Sequence, residues 1–119
     1  MKPLICELGM GVDVHGHDYT KAALRGISDA IRHSSLTIFY TYNRASEMRV
    51  DVTIAVCKPE MVDKEAVAAA LPHGLVNVEI VKGGLDDKGM GGKEDITIAA
   101  VAVKAWLDTA DHPFKLVDR

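Results

Sequence analysis

Ile96-Thr97-Ile98-Ala99-Ala100-Val101-Ala102-Val103 is apolar at odd and even positions alike. Successive strand residues point to opposite sides of a sheet, so such a run has both faces covered and belongs at the centre of one. No other feature limits the fold as much, because the rest of the chain must then supply flanking strands and a covering layer. Val50, Val52, Ile54 and Val56 alternate with Asp51, Thr53, Ala55 and Cys57, a strand with one apolar face. Val76, Val78 and Ile80 make another. Leu4 to Leu8 reads as a short first strand, started by Pro3 and stopped by Gly9.

Two stretches carry helical spacing. Ala23, Leu24, Ile27, Ala30 and Ile31 recur on one face of a helix that Asp18 or Thr20 can cap, with Lys21, Arg25, Ser28, Asp29 and Arg32 opposite. Gly26 sits inside it at a cost of about 1 kcal/mol relative to Ala, which close packing on a sheet would explain. Asp63 caps a second helix, Lys64 to Leu71, closed by Pro72 and Gly74. Residues 36–47 read either as a strand or as a loop that packs its aromatic side chains, and the tail from Trp106 to Arg119 as a turn of helix that frays.

The order is β-α-β-α-β-β in one α+β domain, 1–119: a two-layer sandwich with two helices on one face of a mixed sheet. This order resembles the Bacillus chorismate-mutase-like fold, and the resemblance implies trimers, or multiples of them, with sites between subunits. The second sheet face would carry Asp51, Thr53, Glu79 and Thr97 beside Ala55, Val81, Ala99 and Val101, too apolar for open water and a candidate homo-oligomer interface.

The balance of 14 Lys+Arg against 17 Asp+Glu gives a formal charge of -3, without the basic patch that nucleic acid requires. No run approaches the length of a membrane span, and Glu7 interrupts the first apolar residues before a signal peptide could form. Cys6 and Cys57 stand alone, as core cysteines do in a reducing compartment, so the expected location is the cytoplasm.

Chemistry concentrates in Gly9-Met10-Gly11-Val12-Asp13-Val14-His15-Gly16-His17-Asp18. In an extended chain Asp13, His15 and His17 point the same way, at the end of the first strand and the mouth of the first helix. Three readings follow. In the first, Asp13 and His15 bond their own loop, Asp18 caps the helix and His17 is solvated. In the second, Asp13, His15 and His17 bind a divalent metal, although HExxH and paired-cysteine spacings are absent. In the third, which is metal-free and leads, Asp13 orients His15 as general acid or base toward a small polar or anionic metabolite. The helix N-terminus, Lys21 and Arg25 would hold its anionic group, with Gly9, Gly11, Gly16, His17 and Asp18 lining the site. The rival from another class is a non-catalytic ligand-binding or structural module. A dinucleotide fingerprint would need a third glycine where Val14 stands, and no cofactor is named by any motif. Residues 83–92 form a second glycine-rich stretch, expected as a solvated flap or, functionally, a lid over the Asp13/His15 pocket.

The run from Gly9 to Gly16 fits GxGxDxHG, and the chain resembles the small Listeria-type family of bacteria and plants that carries this signature. The likeness continues through Asp18, Thr20 to Ala23, Arg25, Asp29 to Ile31, Met48 to Val50, Val78 to Leu85 and the last strand. It implies an importance for Gly9, Gly11, Asp13, His15 and Gly16, and no particular activity.

Overall fold

The computed structural model describes residues 2–32, 47–71, 74–91 and 95–107. Strand β1 spans Lys2–Asp13, helix α1 Tyr19–Ile31, β2 Arg49–Val56, helix α2 Lys64–Ala69, β3 Leu75–Lys82, β4 Leu85–Asp87 and β5 Ile96–Leu107, with a 3-10 turn at Pro59–Met61. The predicted strands and both helices are present. Most of the ambiguous segment 36–47, and the tail beyond Leu107, lie outside the described residues.

The five-stranded sheet has the order β1-β5-β2-β3, with β4 also pairing with β5. The doubly apolar strand is therefore central. β1 and β2 run antiparallel to β5 on its two sides, and β3 runs parallel to β2. Where β2 leaves the sheet after Val56, β4 takes its place against β5, through the pairs Leu85↔Ile98, Asp86↔Thr97 and Asp87↔Ile96. The glycine-rich stretch 83–92 is thus partly a strand. The expectation of a solvated flap fails for Leu85-Asp86-Asp87, which has an open β5 edge to pair with, while residues 88–91 are an exposed turn.

Both helices lie on one face. Val50, Val52, Ile54 and Val56 of β2 and Ala99, Val101, Val103 and Ala105 of β5 are buried there beneath Tyr19, Ala22, Ala23, Ile27 and Ala30 of α1 and Val67 of α2. Caps fall where the sequence puts them. Asp18 accepts from the Lys21 N–H and Asp63 from those of Glu65 and Ala66, satisfying donors that a helix start leaves free.

Two further expectations need correction. β1 does not stop at Gly9 but continues to Asp13, because Gly9 and Gly11 serve contact rather than turning. A Cβ on Gly9 would lie 2.4 Å from the Gly26 carbonyl oxygen, and one on Gly11 would lie 1.9 Å from that of Ala22. Gly26 answers from the helix, where a Cβ would meet a Val101 methyl at 2.5 Å. The three glycines let α1 settle onto β1 and β5 at backbone distance. The second correction concerns parity. Thr97, Ala99 and Val101 pair with Asp13, Gly11 and Gly9 and face the helices, so Ile98, Ala100 and Ala102 occupy the open face. A strand apolar on both faces has no clear alternation from which to read them, and only pairing with β1 and β2 sets them.

Candidate functional site

The end of β1, the loop to α1 and the β4/β5 pair converge at one end of the sheet. Asp13, at the last position of β1, is 2% exposed. Its Oδ2 accepts the Asp18 N–H at 2.9 Å and its Oδ1 lies 3.8 Å from Arg25 Nη1. Asp13 thus ties the loop back on itself. Arg25 also donates to the Val12 carbonyl, and Asp29 accepts the Met10 N–H at 3.0 Å. Both bonds cover backbone groups on the outer edge of β1, which has no strand partner beyond it among the described residues. The nearest helix donors are occupied in the same way, the Lys21 N–H by the Asp18 cap and the Asp18 N–H by Asp13.

His15 lies beyond the strand in an exposed bend, as do Val14 and Gly16. Among the described residues no hydrogen bond joins it to Asp13, because the strand ends first and the extended geometry that would align them is lost. Gly16 and His17 both turn left-handed, with φ of 82° and 51°. This pair of turns directs His17 inward. Its ring stacks on Tyr19 at 5.9 Å between centroids, its Nδ1 stands 3.8 Å from Asp86 Oδ1 and its Nε2 stands 3.5 Å from Asp95 Oδ1. Nδ1 is buried and has no hydrogen-bond partner among the described residues. Lys88 approaches the same Asp95 oxygen at 3.8 Å.

Asp86 is the hub. It accepts hydroxyl hydrogen bonds from Tyr19 and Thr97, the latter fully buried on β5. Burial alone would push its carboxyl up, but the Thr97 and Tyr19 donors, then His17 and the Cys57 thiol, outweigh that and hold it below the usual carboxylate range. Tyr19 moves the opposite way. Burial first, then the hydrogen bond and charge of Asp86, push its phenol above the ordinary tyrosine value. At neutral pH this is an ionised carboxylate held by two neutral hydroxyls, facing an imidazole with one unused nitrogen.

Of the residues expected to form the site, His17 enters this cluster. Asp13, Asp18 and Arg25 fasten its frame, Gly9 and Gly11 lie under α1, and His15, Gly16 and Lys21 are exposed. Sequence reasoning missed Tyr19, Asp86, Asp95 and Thr97. They come from three separate segments, and only the polar Thr97 in an otherwise apolar run signalled them. Among the described residues no three His, Cys, Asp or Glu side chains come together as a metal-ligand group. No described helix is long and apolar enough to cross a membrane. A cleft of about 390 Å³ opens at the far end of β1, lined by Pro3, Leu4, Ile5, Cys6, Lys104 and Trp106, and touches none of the residues above.

A family of conserved hypothetical proteins, Lin0512, matches the chain over residues 3–105, in line with the resemblance drawn from its sequence. A crystal structure of an FtsZ-like protein of unknown function from Nostoc punctiforme is 35% identical, with a TM-score of 0.77, covering 87% of this chain and 93% of that one. No curated protein matches.

Proposed function

Since the chain belongs to the Lin0512 family of conserved hypothetical proteins, a name that specifies no reaction, we propose from its geometry that it is a small-molecule acid–base protein. His17, its ring stacked on Tyr19, transfers the proton, with the Asp86 carboxylate 3.8 Å from its Nδ1. The observation that carries this reading is the buried, unpartnered Nδ1 of His17 held beside an ionised carboxylate. A buried imidazole nitrogen without a partner is costly unless something bonds it during function. Tyr19 and Thr97 fix Asp86, and the left-handed Gly16-His17 turn sets the ring. His15, Gly16 and Lys21, exposed around the same loop, would meet a small polar or anionic metabolite on entry. The proton-transferring pair then differs from the Asp13/His15 pair that spacing suggested.

The test is a thermal-shift screen of small carboxylates and sugar phosphates against the wild type and His17→Ala. The expected result is that at least one class raises the wild-type Tm and leaves that of His17→Ala unmoved. The reading fails if no compound raises the Tm, or if both proteins respond equally. One observation favours the rival structural module: Asp13 is spent on the Asp18 N–H and Arg25, as a loop that only shapes the fold would spend it. Equal responses would favour that rival.

A further inference from the structure

We propose that the face of the sheet that no described residue covers is the docking surface for a second copy of this chain, related to the first by a two-fold axis. The inference stands apart from the His17 site. Cross-strand register lays this face out in rows: Val12–Ile98–Leu85, then Met10–Ala100–Ala55–Val81, then Leu8–Ala102–Thr53–Glu79, then Cys6–Lys104–Asp51–Asn77. The first two rows are wholly apolar, and Leu8 continues the patch into the third. Leu8, Met10 and Leu85 are exposed by 68%, 57% and 52%. Isolated exposed leucines are ordinary, but three large apolar side chains on one flat face, with Ala100 exposed and Ile98 half-exposed between them, form a contiguous patch.

The polar rows point to the identity of the partner. Asp51 is satisfied within the face by Arg49 at 3.2 Å and Asn77 at 3.2 Å, and Arg49 lies over the Trp106 ring at 5.0 Å. Within these four rows Lys104 and Glu79 remain, one cation and one anion, which pair with nothing among the described residues, while Asp87, in the row beyond Leu85 and Ile98, accepts the Gly89 N–H. One unmatched charge of each sign within these rows is the pattern a self-complementary surface needs, since a two-fold contact uses the same patch twice. A two-fold axis lying in the interface and crossing β2 between Asp51 and Thr53 exchanges Lys104 with the partner's Glu79. With strands about 4.8 Å apart and same-face residues about 6.8 Å apart, the same operation sets Leu8 over the partner's Ala55 and Met10 beside the partner's Ala100. Leu8 and Met10 meet apolar positions and both charges are matched, while Leu85 and Ile98 come to lie beyond the partner's β1 edge.

The face measures roughly 19 by 27 Å, but under this operation the strands of the two copies cross at about 70°, so about 350 Å² of each overlaps, roughly 700 Å² in all and in the range of weak, transient contacts. A dimer that dissociates in the micromolar range is therefore expected. Sedimentation velocity of the full chain across a concentration series reads this directly. The wild type is expected to move from monomer to dimer. Met10→Asp should stay monomeric with its Tm kept, because the side chain is largely exposed. Lys104→Glu should weaken the dimer by about tenfold, and adding Glu79→Lys should restore it. A chain that remains monomeric throughout, a trimer, or an assembly indifferent to both Met10→Asp and Lys104→Glu overturns the proposal.

Discussion

The ten residues from Gly9 to Asp18 divide into two halves with opposite duties. From Gly9 to Asp13 the chain is a strand pressed against α1, its glycines in contact with helix backbone and its aspartate buried. From Val14 to Asp18 it is a loop, exposed except where His17 turns inward. A glycine in the first half is there because a Cβ has no room, whereas a Cβ on Gly16 would meet nothing within 4 Å, and only its φ of 82° asks for glycine. Glycines that look alike in the sequence thus answer different physical demands, and substitutions separate them.

The largest effect is expected at Gly11. Alanine there drives a Cβ into the Ala22 carbonyl oxygen, and because both atoms belong to backbone neither can rotate away. Gly11→Ala should cost more than about 3 kcal/mol, read as a collapse of the denaturant midpoint. A near-normal midpoint would mean that α1 does not rest on β1 as described. Asp13→Ala comes next, at about 2 kcal/mol, because it leaves the Asp18 N–H without its acceptor and Arg25 without its carboxylate. In the second half, Gly16→Ala should cost about 1 kcal/mol from the left-handed backbone alone, and His15→Ala almost nothing. A loss at His15 as large as that at Asp13 would erase the division between the halves.

The pH dependence sharpens the same division, since its carriers sit beside the loop half. The fold raises the Tyr19 value, so the stability it contributes is full below the ordinary tyrosine pKa near 10 and is lost as pH rises above it. Tyr19→Phe should therefore flatten the alkaline limb of the stability curve. The fold lowers the Asp86 value, so its contribution is present above the ordinary carboxylate range and fades as pH falls through the lowered value. Asp86→Asn should flatten the acid limb. Chemical denaturation repeated across pH checks both, and parallel curves for variant and wild type would remove Asp86 from the centre of the cluster.

Much of this arrangement was readable along the chain. The alternation of Val50 to Val56, the doubly apolar run from Ile96 and the caps at Asp18 and Asp63 are local patterns, and each marks its element because burial and capping act over a few residues. Strand β4 was hidden because Leu85-Asp86-Asp87 is too short and polar to announce itself without an edge to pair with. The orientation of β5 was hidden for the opposite reason, because both of its faces are mostly apolar. Of the candidate site, the loop and His17 were legible, whereas the partners of His17 were not.

The sequence by itself determined that this chain folds as α+β around a central apolar strand, and that its histidines and aspartates crowd where the first strand meets the first helix. Tertiary structure alone decided which histidine turns inward and which aspartate meets it. Asp86 is 69 residues from His17 along the chain, and the two come together only because β4 fills the gap beside β5 that β2 leaves. Local periodicity carries no information about such a meeting, since hydrogen-bond pairing between distant strands, not the properties of either segment, sets the distance between them.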